Sequence, residues 1–599
     1  MSSFQRNFSA LRGILFFAAA LSAPAFVCAA TTPPATIPMS GVASSSAEPA
    51  AVAPSAPADL HLVLEQVQSL IHTQSQQLET QRLQIERQQR EIDELRAKLL
   101  GGQPETSALA PGAAMTERDL ASAATADALA LRAATASPAP LPSSASASGL
   151  VNPAAQLPQP APEGPLGIRL GRVLLTPGGW VDLTAIYRTT DVGSGLGTSF
   201  ASIPYSNTVA GGLSETRFTA QSSRISFRAD EDFGKTKVFG YAEADFNGYL
   251  PSNAYVSTNS DSLRMRVYFL NLARDHWEVL GGQSWSLLTP NRVGVSPFLN
   301  EIYNTVHLDT NYQVGLTYAR QAQLRTVYHF NDSTVLALSL ENPEQFTGSA
   351  ATLPALFSTS ETDVNSSTGS GGGTATPNLF PDVIAKLASD PTWGERRWHL
   401  EATGLLTSAT IDTPESITKT AASKDSRIGG GVSAAANLEL AKGLHFIGSG
   451  FWSDGGGRYI GGLGPSFVVA QGATTKSPFD VQLIHSGSAT AAAEWQANER
   501  NLLSFTYSGA YFGRASSIDP STGNLVGYGY IGSPSSNNRA IQEGTIASQT
   551  TLWKHPSFGA IQMISQSSYI TRAPWYLAKG APKDAHVVAE FLNLRYVLP

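Results

Sequence analysis

The chain has 599 residues, only 15% of them charged, and a formal net charge of −7. That balance argues against a nucleic-acid partner, which would need a basic surface. A mean hydropathy of −0.08 neither requires nor excludes a membrane, because a β-barrel carries its apolar residues in alternation.

The N-terminus reads as a secretory signal over residues 1–30. Arg6 and Arg12 supply positive charge, and Gly13 to Ala23 (GILFFAAALSA) supplies an apolar stretch too short to span a bilayer. A short anchor helix is the rival reading. Small residues follow at Cys28-Ala29-Ala30. Cys28 is the single cysteine, so cleavage after Ala29 or Ala30 leaves no thiol for disulfide or catalytic chemistry. No later window reads as a transmembrane helix. Inside lipid every backbone polar group must be paired, and the remaining way to achieve that is a closed barrel.

Residues 31–58 are rich in Ala, Pro, Ser and Thr and form a linker with too little bulk to pack. Residues 59–100 contain neither Gly nor Pro, and a heptad runs through them. One seam position holds Leu64, Ile71, Leu78, Ile85, Ile92 and Leu99; the other holds Leu60, Val67, Gln74, Gln81, Gln88 and Leu95. Such a stripe must be buried against partner helices. A buried amide costs free energy unless it is hydrogen-bonded. Symmetry-related glutamines meeting in one layer of a parallel bundle satisfy one another and set the register. The seam does not divide Ile and Leu in the way that favours dimers, so it reads as a parallel trimer, with a dimer as the rival. Gly101, Gly102 and Pro104 end the helix. Residues 101–167 form an Ala/Pro/Ser-rich tether.

From residue 168 to 599 the pattern becomes period-two segments separated by Gly, Asn, Asp and Ser clusters. Trp180 to Thr189 sets Val181, Leu183, Ala185 and Tyr187 against Asp182, Thr184 and Arg188. Ser223 to Ala229 sets Ile225, Phe227 and Ala229 against Arg224, Ser226 and Arg228. Leu263 to Phe269 sets Leu263, Met265, Val267 and Phe269 against Arg264, Arg266 and Tyr268. A soluble sandwich with one wet face would show similar alternation. The long Gly-rich loop at 346–381, the aromatics at segment ends and the persistence of the pattern to the terminus favour an all-β transmembrane barrel. Its length suits about 16 antiparallel strands, with 18 left open.

If the apolar face meets lipid, Arg224, Arg228, Arg264 and Arg266 line the lumen, with Glu243 and Asp245 on the strand between them. Guanidinium stays charged and grips a carboxylate with two parallel bonds, so this wall suits small anionic solutes. Mutual neutralisation of these charges is the rival reading. The stretch from Leu287 to Thr310 is too long for a tight turn and is expected to fold inward as a constriction, with Arg292, Glu301 and Asp309 as its charged members. His399 alternates with Glu401, but two such ligands do not make a metal site. No nucleophile–base spacing emerges, and neither an enzyme activity nor a cofactor is expected.

The motifs AQSSRISFR at 220–228, GYAEADF at 240–246, LRMRVYFLNL at 263–272 and GGQSWSLLTP at 281–290, behind a signal peptide and a coiled coil, resemble the DcaP-like family of trimeric outer-membrane porins. The likeness spans about residues 170–599. It implies a 16-stranded barrel in the outer membrane, a homotrimer, and passage of dicarboxylates and related small anions. It also implies a pore wall carrying Arg224, Arg228, Arg264 and Arg266. The N-terminal region then lies in the periplasm, where the coiled coil is placed for periplasmic or cell-wall contact. Two rivals remain: an envelope-tethering barrel with a lumen sealed by loops, and a trimeric adhesin-type anchor, which would have few strands per chain.

Overall fold

The computed structural model describes residues 166–248, 261–298, 306–348, 350–355, 357, 378–413, 423–474, 477–519 and 521–599. The signal, linker and coiled-coil segments, including Leu64, Ile71, Gln74, Leu78, Gln81, Ile85, Gln88 and Ile92, lie outside the described residues.

Among the described residues sixteen strands close into one antiparallel barrel. They are β1 (Val173–Arg188), β2 (Glu215–Thr219 continued by Arg224–Phe233), β3 (Thr236–Asp245), β4 (Arg264–Arg274), β5 (Trp277–Trp285), β6 (Arg320–His329), β7 (Thr334–Glu341) and β8 (Asp382–Ser389). The second half holds β9 (Arg396–Thr413), β10 (Ser423–Ala441), β11 (Leu444–Asp454), β12 (His485–Gln496), β13 (Asn501–Phe512), β14 (Asn538–His555), β15 (Gly559–Pro574) and β16 (Ala585–Val597). Each strand pairs with the next, and β1 pairs with β16 from Trp180↔Val597 to Arg188↔Ala589, which closes the ring. Among the described residues the barrel wall leaves no ladder edge open, as a structure in hydrocarbon requires. Eighteen strands are thereby excluded.

The two faces of the wall differ as the alternation predicts. On β7, Leu336, Leu338 and Leu340 point outward and are exposed, while Val335, Ala337, Ser339 and Glu341 are buried inside. On β1, Val181 and Leu183 are exposed, and Asp182, Thr184 and Arg188 are buried. One end of the barrel has short turns, such as Gly234-Lys235 and Lys442-Gly443, and the other has long loops. Aromatics ring the short-turn end: Trp277 lies 4.7 Å from Tyr328, and Trp393 stacks on Trp398 at 5.3 Å. Trp452 and Tyr511 mark the other end. An apolar belt flanked by aromatic girdles belongs to a membrane-spanning barrel.

The expected alternation on β4 needs a correction. Val267 and Phe269 do not share the outward face of Met265. Both are buried, and Tyr268, Leu270 and Leu272 are exposed instead. Glu243 pairs with Val267 and Ala244 with Met265, so Arg266 is an extra residue in a β-bulge. A bulge shifts the pleat by one residue and reverses the faces beyond it. Arg266 and Val267 therefore both turn inward. On the neighbouring strand Gly282 holds φ at 137°, and a Cβ there would meet the Tyr268 carbonyl oxygen at 2.5 Å. Only glycine lets the two backbones approach this closely.

Candidate functional site

The inward charges gather into one network. Arg264 grips Asp245 with two parallel bonds, Nε to Oδ1 at 3.0 Å and Nη2 to Oδ2 at 2.8 Å. Arg266 donates Nε to Glu243 at 2.7 Å and Nη1 to Asp245 at 2.7 Å. Arg224 pairs with Glu243 at 3.0 Å and lies over the Trp180 ring at 4.3 Å. Arg595 covers the same ring at 4.8 Å and donates to Asp182 at 2.9 Å. Five of the six residues expected on the pore wall thus meet directly: Arg224, Glu243, Asp245, Arg264 and Arg266. Arg266 shares the inward parity of Arg264, and as the extra residue of the bulge it reaches two carboxylates on β3. Arg228 is separate. It bonds Asp230 at 2.8 Å and stacks over Phe239 and Phe298.

The pairs are unequal in their access to water. The Arg264 side chain is 15% exposed and its partner Asp245 is 0% exposed. Arg292 is 17% exposed against 9% for Glu494. In both, the guanidinium is the more exposed partner and the carboxylate the more buried one.

The described part of the segment between β5 and β6 folds inward. It is held by inward side chains from distant strands. Glu341 of β7 accepts the Leu287 N–H at 2.7 Å. Glu401 of β9 accepts the Asn291 N–H at 3.3 Å and is itself held by Lys386 at 3.0 Å. Arg292 reaches across to Glu494 of β12 at 2.5 Å. Further along, Gln566 of β15 accepts the Leu308 N–H at 2.6 Å, and Glu543 of β14 accepts the Val314 N–H at 2.8 Å. Asp309 is buried and takes N–H groups from Asn311 at 2.8 Å and Thr198 at 3.1 Å. Its carboxyl is raised above its usual range, by burial first, against the lowering effect of Arg188 and these donors. Burial likewise pushes the His307 imidazole down to about 3, so it stays neutral in ordinary buffers. Of the three charged residues expected at a constriction, Arg292 and Asp309 both anchor the segment, and Glu301 lies outside the described residues.

The anchors Glu341, Lys386, Glu494, Glu543 and Gln566 carry no motif in the sequence; their inward parity on β7, β8, β12, β14 and β15 is the available signal. His399 and Glu401, which alternate on β9, serve as an anchor rather than as metal ligands: His399 sits between Asp390 at 2.8 Å and Glu401 at 3.3 Å.

A closed barrel with an apolar belt, a charged interior and a loop folded into the lumen is a porin-like transmembrane barrel. Among solved structures it is similar to the outer membrane channel DcaP of Acinetobacter baumannii, at 16% identity over 72% of this chain and 99% of that one, with a TM-score of 0.48. This is the protein whose family the strand motifs resemble. An anion-selective porin from Comamonas acidovorans matches at 11% identity over 71% of this chain and 100% of that chain, TM-score 0.38. Pseudomonas putida OprB matches at 11% identity over 70% and 94%, TM-score 0.39. No family model and no curated protein matches the sequence.

Proposed function

We propose that this chain is an outer-membrane porin that lets small hydrophilic solutes diffuse through its lumen and favours anions such as dicarboxylates. The observation that carries the reading is the layering of charge inside a lipid-facing barrel. Arg264 and Arg292 are the more exposed partners of their ion pairs and the carboxylates that hold them the more buried, and in this reading the exposed guanidinium edges face the lumen. A solute carboxylate can then accept from a fixed donor without stripping it of its structural partner. No bond is made or broken, and the wall acts only on partition and passage.

The N-terminal segments complete the proposal. Residues 1–30 direct export, residues 59–100 join three copies as a parallel coiled coil, and residues 31–58 and 101–167 are tethers. The described chain enters the barrel at its short-turn end, the end that faces the periplasm in outer-membrane barrels. This supports a periplasmic coiled coil. The packing of Leu287, Leu288, Val306 and Leu308 inside the barrel favours one second reading, a tethering barrel sealed by this segment. Liposome swelling separates the two. Purified protein in multilamellar vesicles should admit small sugars and, faster at equal size, succinate. Vesicles that stay osmotically tight to every solute would overturn the porin and leave the sealed barrel.

A further inference from the structure

At the long-loop end, β11 to β15 carry a strip of outward aromatics. Trp452 stacks on Tyr511 at 6.5 Å, and Tyr511 meets Trp575 edge-on at 6.1 Å. Gly487 pairs with both Trp452 and Tyr511, and a Cβ there would meet the Trp452 ring at 2.5 Å. Trp575 is fixed in place. Its indole Nε1 donates to the Phe512 carbonyl oxygen at 2.9 Å, and its backbone N–H donates to that of Asn537 at 2.9 Å. Gly529, at a φ of 73°, approaches so closely that a Cβ would meet Trp575 Cδ1 at 2.7 Å and Arg514 Cβ at 2.8 Å. Two exposed arginines gather round this ring. The Arg514 guanidinium lies 5.5 Å from its centroid and that of Arg539 lies 6.0 Å away. Arg539 is the extra residue of a bulge, since Asn538 pairs with Pro574 and Ala540 with Ala573. Alternation with the buried Ile541 and Glu543 would send Arg539 into the lumen, and the bulge re-aims it outward.

These two cations lack a counter-charge. Arg427, at the same end, keeps Asp425 at 3.6 Å. Among the described residues neither Arg514 nor Arg539 pairs with a carboxylate or donates a hydrogen bond. Aromatic girdles mark the level of the lipid headgroups. We propose that Arg514, Arg539 and Trp575 bind the phosphorylated headgroup of an outer-leaflet lipid, a proposal that rests on the membrane-barrel reading above. The chemistry selects phosphate. A guanidinium presents parallel N–H groups that match two phosphate oxygens, and the two arginines offer two such forks. The Trp575 ring attracts both cations by its face and leaves their N–H edges for the ligand. The apolar stems lie along the wall and carry the charged heads to headgroup level. Beneath them Leu503, Phe505 and Tyr507 of β13 and Ile546 of β14 are outward and exposed, and they meet the acyl chains of the same lipid. A free phosphate ion would gain nothing from that lower contact, so the lipid is the occupant the wall fits.

The test is native mass spectrometry of the full-length protein in detergent, with diphosphoryl lipid A or its dephosphorylated form as the probe. The native protein should retain the phosphorylated probe about tenfold better than the dephosphorylated one. The double variant Arg514→Gln, Arg539→Gln should lose that preference and keep the heat-modifiable barrel band, and Arg514→Lys, Arg539→Lys should regain part of it. Millimolar inorganic phosphate should leave the complex intact. Equal retention of the two probes by the native protein overturns the proposal, and so does an unchanged preference in the Gln pair. Displacement of the lipid by inorganic phosphate would show a site for the free ion and overturn the lipid as occupant. A native protein that is silent in planar bilayers and still prefers the phosphorylated probe upholds this site while the proposed pore falls.

Discussion

Replacing Arg264 by Gln removes one lumen cation and leaves Asp245 bonded to Arg266. An anion passing about 5 Å from the guanidinium, at an effective dielectric of about 40, is attracted by about 1.7 kcal/mol. Asp245 stays in the variant, so its repulsion is common to both channels and does not enter the difference. Screening over about 5 Å at about 0.1 M salt reduces the lost attraction to about 1 kcal/mol. That is about a fivefold change in anion entry, with about the same factor in the opposite sense for cations. The anion-to-cation permeability ratio, read as the reversal potential in planar bilayers across a salt gradient, should fall about tenfold or more in the variant. Arg264→Lys should restore most of the charge effect but not the paired grip on a carboxylate. An Arg264→Gln channel with an unchanged reversal potential would refute the argument that this exposed edge sets selectivity.

Arg266→Met should destabilise the barrel by about 3 kcal/mol, because two buried carboxylates each lose a partner; the urea midpoint of the heat-modifiable band measures it. Arg292→Ala removes the salt bridge to Glu494, so single-channel conductance and its noise should both rise, and Glu494→Gln should act in the same direction. His307 has an ordinary value of 6.5 and is held down to about 3 by burial, against a backbone hydrogen bond with Tyr312 that raises it. An undocked loop therefore takes up a proton between those values that the docked loop refuses. Docking is at full strength above about pH 6.5 and weakens as pH falls, by about 2 kcal/mol at pH 5. Flickering should increase from pH 7.5 to pH 5 in the native channel, and His307→Asn should abolish the increase. Deleting residues 59–100 should change conductance from steps in threes to single steps.

Strand alternation was legible because a wall with lipid on one side and water on the other imposes a period of two on every strand. Arg224, Arg264, Arg266, Glu243 and Asp245 could be assigned inward on that ground alone. The bulge at Arg266, which turns Val267 and Phe269 inward as well, could not. It depends on a local mismatch between β3 and β4, and Val267 and Phe269 continue the apolar rhythm across it. The inward segment was visible as a length anomaly. Its anchors were not, because Glu341, Glu401, Glu494 and Glu543 are scattered along the chain and meet the segment only once the ring has closed. The same holds for the arginine–carboxylate pairs: sequence showed both charges on one wall, but not that the carboxylates are the more buried partners. Glu590 breaks the alternation in plain sight, as the acidic residue in VAEFLNL, and only the register shows that it faces outward beside Ser567.

The most direct test of the central claim is the reversal potential of the full-length protein in a planar bilayer across a salt gradient, followed by addition of succinate. An open pore with guanidinium edges turned to the lumen predicts steps of conductance, a potential of anion-selective sign and a current partly blocked by succinate. A cation-selective potential would contradict the account of the lumen, and a silent bilayer would contradict the open pore itself.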